Sequence, residues 1–142
     1  MTAQATVQTS KIILDTNIVL DVFVFNDTAA EPVRQALGKQ ELDWLATHAM
    51  RAELVRVLAY PKIEARLTFY KLSAQDVLAR FDQHARLVNV APKASLTCRD
   101  ADDQMFIDLA IQHKCLLLSK DRAVTAMKKR LLAHEVQVQT AM

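Results

Sequence analysis

The sequence contains a single glycine, Gly38, and this scarcity excludes whole classes of enzyme. Loops that wrap nucleotide phosphates need several glycines, because their backbone must approach the ligand closely, so P-loop enzymes and Rossmann dinucleotide binders are excluded. The two cysteines, Cys98 and Cys115, are too few for a disulfide framework and lack the spacing of a metal site. Thiols used in this way are typical of a reduced, cytoplasmic protein.

Long apolar runs are also missing. No stretch approaches the roughly 18 residues that a membrane helix needs, and residues 1–10, MTAQATVQTS, are polar and uncharged. We therefore expect no membrane association and no signal peptide. Residues 1–10 are predicted to form a flexible tail, and residues 11–142 a single domain, which is an ordinary domain size.

The net charge of +2 is small, but its distribution matters. If several acidic residues gather at one site, the remaining surface is distinctly basic. Such a surface favours a polyanionic partner.

Short apolar strands alternate with helical patterns along the chain. The strand candidates are residues 11–14, 41–47, 88–90, 115–119 and 136–140. Helices are expected at about residues 18–25, 28–40, 48–59, 62–71, 73–87, 101–113 and 122–134. This alternation predicts an α/β fold, with a mostly parallel sheet of about five strands and helices on both faces, in a three-layer sandwich.

Two acidic residues follow predicted strands directly. Asp15 ends the run KIILD, and Asp121 ends CLLLSKD. Ligands of parallel sheets bind outside the carboxyl ends of the strands, so both carboxylates are expected to point into that crevice. The alternative for each is a helix N-cap, a position that Asp favours strongly.

Glu53 interrupts an apolar helical stripe. At 100° per residue it shares a face with Met50, Leu54 and Val57, where a carboxylate is costly to bury. The alternative is a residue at the rim of the core that pairs with Arg56.

A third acidic segment, CRDADDQMFIDLA, opens a helix. Asp103 shares a face with Phe106 and Ile107 and is expected to point inward, whereas Asp100 fits an N-cap and Asp102 lies at the edge of the stripe. The alternative is a purely dipolar role at the helix N-terminus. Taken together with the other acids, the segment indicates a site for a hard divalent cation.

The chain resembles PIN-domain nucleases, particularly the subgroup that forms the toxin components of toxin–antitoxin modules. The resemblance extends over about residues 11–139 and is carried by LDTN, the helix with Glu53, RDADDQMFIDLA and LLLSKD. It implies a PIN-like three-layer fold. Lys120 departs from the pattern, because many relatives have a small residue there.

The resemblance also implies roles for individual residues. The metal-binding and catalytic acids would be Asp15, Glu53, Asp103 and Asp121, with Asp100 and Asp102 as auxiliary acids. Thr16, Asn17 and Ser119 would orient ligands or water. The implied activity is endonucleolytic hydrolysis of RNA that depends on Mg²⁺ or Mn²⁺. A homodimer and a cognate antitoxin are the implied protein partners. The amphipathic helices at 62–71 and 73–87 are candidate faces for them, and packing against the core is the alternative explanation for these faces.

Two other classes fit part of the pattern. One is an α/β phosphoryl-transfer domain, such as a receiver or a haloacid-dehalogenase-like phosphatase. The phosphatase pattern needs a second Asp two residues after the first, where this sequence has Asn17. The other is a non-catalytic PIN-fold module that binds RNA or protein without turnover.

Overall fold

The computed structural model describes residues 9–142 and contains a five-stranded sheet in which every strand pair is parallel. The strands are Ser10–Leu14 (β1), Leu42–Ala46 (β2), Ala85–Leu87 (β3), Leu116–Leu118 (β4) and Gln137–Gln139 (β5). Their order across the sheet is β3-β2-β1-β4-β5. The predicted α/β fold with a parallel sheet is confirmed. Most of the predicted tail, residues 1–8, lies outside the described residues.

Eight α-helices and two 3₁₀ turns connect the strands in residues 9–142. The helices are Thr16–Phe23 (α1), Glu31–Gly38 (α2), His48–Leu58 (α3), Pro61–Phe69 (α4), Ala74–His84 (α5), Gln104–His113 (α6), Arg122–Thr125 (α7) and Lys128–Leu132 (α8). The 3₁₀ turns are Thr28–Ala30 and Ala101–Asp103. No helix in this part of the chain is both long and apolar enough to cross a bilayer.

The strand order fixes the two helical layers. Parallel strands are joined by right-handed crossovers, so α1 to α5, which connect β1 to β2 and β2 to β3, lie on one face of the sheet. The later connections run in the opposite direction across the sheet, from β3 to β4 and from β4 to β5. The helices in them, α6 to α8, therefore lie on the other face. The result is the three-layer arrangement that the sequence predicts.

The central strands are apolar because both of their faces are covered. Ile12 and Ile13 of β1 and Leu117 and Leu118 of β4 are fully buried. This explains the nearly continuous apolar runs, which are typical of strands in a parallel sheet. Trp44 of β2 is also buried, and its ring meets that of Phe81 of α5 edge to face.

The edge strand β3 differs from its prediction. The sequence pattern extended the helix to residue 87 and placed the strand at 88–90, whereas α5 ends at His84 and β3 spans Ala85–Leu87. Arg86 spans the two strands, because its Nε and Nη2 donate to the two carboxylate oxygens of Asp43 at 2.9 and 2.8 Å. The valines at 88 and 90 favoured the wrong segment, since an edge strand does not need to be apolar.

The sheet reverses its direction of growth between β1 and β4. From β1 the chain moves to β2 on one side, and later to β4 on the other side. Parallel sheets open a crevice at the carboxyl ends of such a strand pair. The residues that follow β1 and β4 therefore meet at the edge of the sheet where a ligand is expected.

Candidate active site

Asp15 lies at the end of β1, with 4% of its surface exposed. Its backbone N–H donates to the carbonyl of Leu118 at 2.9 Å, and its Oδ2 accepts a hydrogen bond of 2.5 Å from Ser119 Oγ. Asp15 precedes α1, but its side chain makes no capping hydrogen bond. Burial raises the pKa of Asp15 to about 6, although the Ser119 hydrogen bond acts in the opposite direction.

Asp121 follows β4 and makes two hydrogen bonds, one through its side chain and one through its backbone. Its Oδ1 accepts from the N–H of Ala123 at 2.8 Å, so the capping alternative is correct for α7. Its own N–H donates to Ser119 Oγ at 3.0 Å. One hydroxyl group thus joins the residues that end β1 and β4.

Asp103 ends the 3₁₀ turn that leads into α6, and it is buried as the helical face predicts. Its Oδ2 has no hydrogen-bond partner among the described residues. Burial, the close Asp121 carboxyl group and the nearby negative charge of Asp15 raise the pKa of Asp103 to about 8. Asp100 is the cap of this turn, since its side chain accepts from the N–H of Asp102 at 3.0 Å.

The fold brings three of the four predicted acids into one group. One carboxylate oxygen from each of Asp15, Asp103 and Asp121 lies within 4.8 Å of the other two. Three carboxylates this close repel one another, and the unpartnered Asp103 Oδ2 is costly to bury. Asn17 Oδ1 is also buried without a hydrogen-bond partner in the described part of the chain. This all-oxygen donor set fits a hard divalent cation such as Mg²⁺ or Mn²⁺.

Glu53 lies beside this group but outside it. Its Oε1 accepts a hydrogen bond of 2.5 Å from Thr16 Oγ1, and its side chain lines the same cleft. Burial raises the pKa of Glu53. Within residues 9–142 Glu53 makes no salt bridge, so the predicted alternative of an ion pair with Arg56 is not observed.

A model of the PIN domain matches residues 11–123. This range includes the carboxyl ends of β1 and β4 and all four predicted acids. The chain belongs to the PIN domain family. This result favours the predicted family over the receiver and phosphatase alternatives. No curated protein sequence matches the chain significantly.

A solved structure shows the same fold. This PIN domain is similar to the crystal structure of VapBC2 from Rickettsia felis bound to a DNA fragment from their promoter, with a TM-score of 0.62. The match covers 91% of this chain and 97% of that chain, at 15% sequence identity. At that identity, the likeness is one of fold.

The acids of the PIN domain line a cleft of about 360 Å³. Four other residues line the cleft that the sequence did not predict as site residues: Leu20, Arg56, Val57 and Tyr60. Arg56 and Val57 entered the prediction only as neighbours of Glu53. A usable signal was present, because residues 53, 56, 57 and 60 have the spacing of one helical face.

Lys120, the departure from the family pattern, is held by an ion pair. Its Nζ lies 2.5 Å from Oδ2 of Asp21, a buried residue of α1. Lys120 stands between Ser119 and Asp121, so the pair fastens the segment after β4 to the first helix. Asp21 was not identified from the sequence, although it is an acid within the apolar run IVLDVFVF, the same kind of signal that singled out Glu53.

Proposed function

We propose that this PIN domain is a cytoplasmic endoribonuclease that depends on Mg²⁺ or Mn²⁺, and that it is the toxin of a toxin–antitoxin pair. The observation that carries the proposal is the group formed by Asp15, Asp103 and Asp121 at the sheet's reversal point, with oxygens within 4.8 Å of one another. Membership of the PIN domain family supports nuclease activity. The preference for RNA rests on the resemblance of the acidic motifs to those of PIN-domain toxins.

Each acid has a distinct part in this proposal. Asp15 would anchor the metal, because its position is fixed by β1 and by the Ser119 hydrogen bond. Asp103 would offer its unpartnered oxygen, and Asp121 would complete the group. Glu53 would act at the edge of the site, where the hydroxyl of Thr16 orients it.

The bound ion would neutralise the phosphodiester, acidify a water molecule and stabilise the leaving oxygen. The protein's own residues prepare the site for this. Ser119 and Thr16 hold carboxylates in place by hydrogen bonds of 2.5 Å, and the oxygen of Asn17 is available to orient water. Such supporting hydrogen bonds set the ligand orientation and the metal affinity.

The partner proteins are proposed on separate grounds. The fold is similar to that of VapBC2, a structure obtained with promoter DNA, and on that likeness we propose a cognate antitoxin. We also propose a homodimer. Phe69 at the end of α4 has 71% of its surface exposed, and the neighbouring Tyr70 is also exposed. Aromatic side chains of this kind are enriched in protein interfaces.

The test is cleavage of single-stranded RNA by purified protein with Mg²⁺ or Mn²⁺. Asp15→Asn and Asp103→Asn are expected to lose activity by about 100-fold or more, since each removes a charge that would hold the metal. Asp82→Asn is the matched control, because Asp82 is an exposed acid that pairs with Arg51. A DNA strand of the same sequence tests the preference for RNA.

Three outcomes would contradict the proposal. Equal activity in the wild type and in both site variants would identify a contaminating nuclease. RNA binding without cleavage in either metal would identify a non-catalytic module. Cleavage that is unaffected by a chelator would exclude the metal-dependent mechanism.

A further inference from the structure

Part of the cleft is lined by side chains that would not bind a metal ion. Besides the acids, the cleft is bordered by Arg56, Val57 and Tyr60, which supply a cation, an aliphatic surface and an aromatic ring. A divalent cation is bound by oxygen ligands and uses none of these side chains. This part of the lining, here called the α3 wall, therefore needs its own explanation.

The α3 wall has a direction. Glu53, Arg56, Val57 and Tyr60 share one face of α3 and of the two residues that follow it. With a rise of 1.5 Å per residue, Arg56 lies about 4.5 Å farther along the α3 axis than Glu53. Tyr60 lies farther in the same direction, two residues beyond the end of the helix. The wall thus leads from the acids to a cation and then to an aromatic ring. A nucleotide chain offers matching groups in the same order, a phosphate followed by a base.

Arg56 is available for such a phosphate. Two other arginines are held by acids: Arg51 pairs with both oxygens of Asp82, and Arg86 pairs with both oxygens of Asp43. Arg56 makes no salt bridge within residues 9–142. A guanidinium at the rim of an acidic cleft can bind a phosphate oxygen while the metal site binds its neighbour.

Tyr60 is exposed on a rigid support. More than half of its surface, 54%, is accessible. Its carbonyl accepts the N–H groups of Ile63 at 2.9 Å and Glu64 at 2.8 Å, and Pro61 begins α4 directly after it. The backbone that carries the ring is therefore fixed at the junction of α3 and α4. A fixed, exposed aromatic ring beside a cation is the usual platform for an unstacked base.

We propose that the α3 wall is a nucleotide subsite, in which Arg56 binds the phosphate next to the scissile one and Tyr60 stacks on an unpaired base. This inference rests on the proposed function and deepens it, because it assigns substrate binding to two residues outside the acidic group. A base inside a duplex has both faces covered by its neighbours, so only an unpaired base can lie against Tyr60.

The subsite is tested by binding rather than by cleavage. The parent protein is Asp103→Asn, which is expected to be inactive, and the probe is a short fluorescein-labelled oligoadenylate measured by anisotropy in Mg²⁺. Tyr60→Ala is expected to raise Kd about tenfold, which is within the usual effect of losing one stacked base. Tyr60→Phe is expected to bind like the parent. Leu132→Ala is the control for loss of an exposed apolar side chain outside the cleft.

Arg56 is tested by the salt dependence of the same binding. A phosphate contact releases a counterion, so Arg56→Gln is expected to weaken binding and to reduce the slope of log K against log salt by about one. Arg56→Lys keeps the slope, and Tyr60→Ala leaves it unchanged because stacking releases no counterion. An abasic position scanned along the strand should remove the Tyr60 effect at one place only.

Several results would overturn the subsite. Equal Kd values for the parent and Tyr60→Ala would do so, and the wall would then serve a different partner, such as a protein. Tight binding of the same strand annealed to its complement, with equal sensitivity to Tyr60→Ala, would also do so. Failure of the proposed function is seen separately, as absence of metal-dependent cleavage by the wild type.

Discussion

Ser119 Oγ donates a hydrogen bond of 2.5 Å to Asp15 Oδ2, although 104 positions separate the two residues in the sequence. The same oxygen accepts the N–H of Asp121 at 3.0 Å. A single hydroxyl group therefore joins the ends of β1 and β4 and sets the orientation of the Asp15 carboxylate.

Substitution of this hydroxyl tests its contribution to the metal site. Ser119→Ala is expected to weaken Mn²⁺ binding by about 10- to 100-fold, because a carboxylate that loses its orienting partner is a poorer ligand. Ser119→Thr keeps the hydroxyl and should retain most of the affinity. Isothermal titration calorimetry measures both. Unchanged affinity in Ser119→Ala would show that Asp15 is oriented without this hydrogen bond.

In the metal-free protein, the burial and mutual repulsion of the acids should make the unfolding free energy depend on pH. The pKa values of Asp15 and Asp103 rise from 3.8 to about 6 and about 8. The folded state therefore holds these protons more tightly, so their stabilisation is complete below pH 3.8 and is lost as the pH rises through those values. We expect the wild type to lose thermal stability between about pH 4 and 8, and Asp103→Asn to lose less.

The difference between the two proteins is the quantity to measure. Burial lowers the pKa of His113, which destabilises both proteins as the pH falls and cancels in the comparison. Melting curves by circular dichroism after treatment with chelator give the two profiles. If the melting temperatures of the wild type and Asp103→Asn change in parallel with pH, the ionisation of Asp103 does not destabilise the metal-free fold.

Divalent metal is expected to stabilise the protein, because it removes the repulsion among the three aspartates. At a concentration of 100 times Kd the stabilisation is about 2.7 kcal/mol, which corresponds to several degrees in Tm for a domain of this size. Asp15→Asn should lose this shift, whereas the surface control Asp82→Asn should keep it. Thermal melts with and without Mn²⁺ measure the shift in Tm. An unchanged wild-type Tm would argue against tight metal binding.

The ion pair between Lys120 and Asp21 has a separate, structural prediction. Lys120→Met leaves the carboxylate of Asp21 buried without its partner, so it is expected to cost about 1–3 kcal/mol of unfolding free energy. The double variant with Asp21→Asn should recover part of this loss, because the unpaired charge is gone. Urea denaturation measures all four proteins. Strictly additive effects would show that the two residues do not interact.

The sequence predicts those site residues whose place at the end of a strand determines where the side chain points. Asp15 and Asp121 follow apolar runs, and the rules of parallel sheets place the ends of such runs at one edge. Asp103 was placed inward by helical periodicity, which its burial confirms. Glu53 was found in the same way. These residues obey local patterns, so one sequence suffices to find them.

Other features depend on contacts that no local pattern encodes. Lys120 follows β4 and meets Asp21 of α1, which is far from it in the sequence. Arg86 of β3 likewise pairs with Asp43 on the neighbouring strand. Arg56 borders the cleft only because α3 packs beside α1, so its position relative to the acids required the structure.

We propose a divalent metal site at the three aspartates that follow β1, follow β4 and precede α6. A crystal soaked in Mn²⁺ and measured for anomalous scattering would locate the ion. We expect an anomalous peak among the carboxylates of Asp15, Asp103 and Asp121, and loss of that peak in Asp15→Asn. No peak at saturating Mn²⁺, or a peak only at a different place, would contradict a metal site at these aspartates.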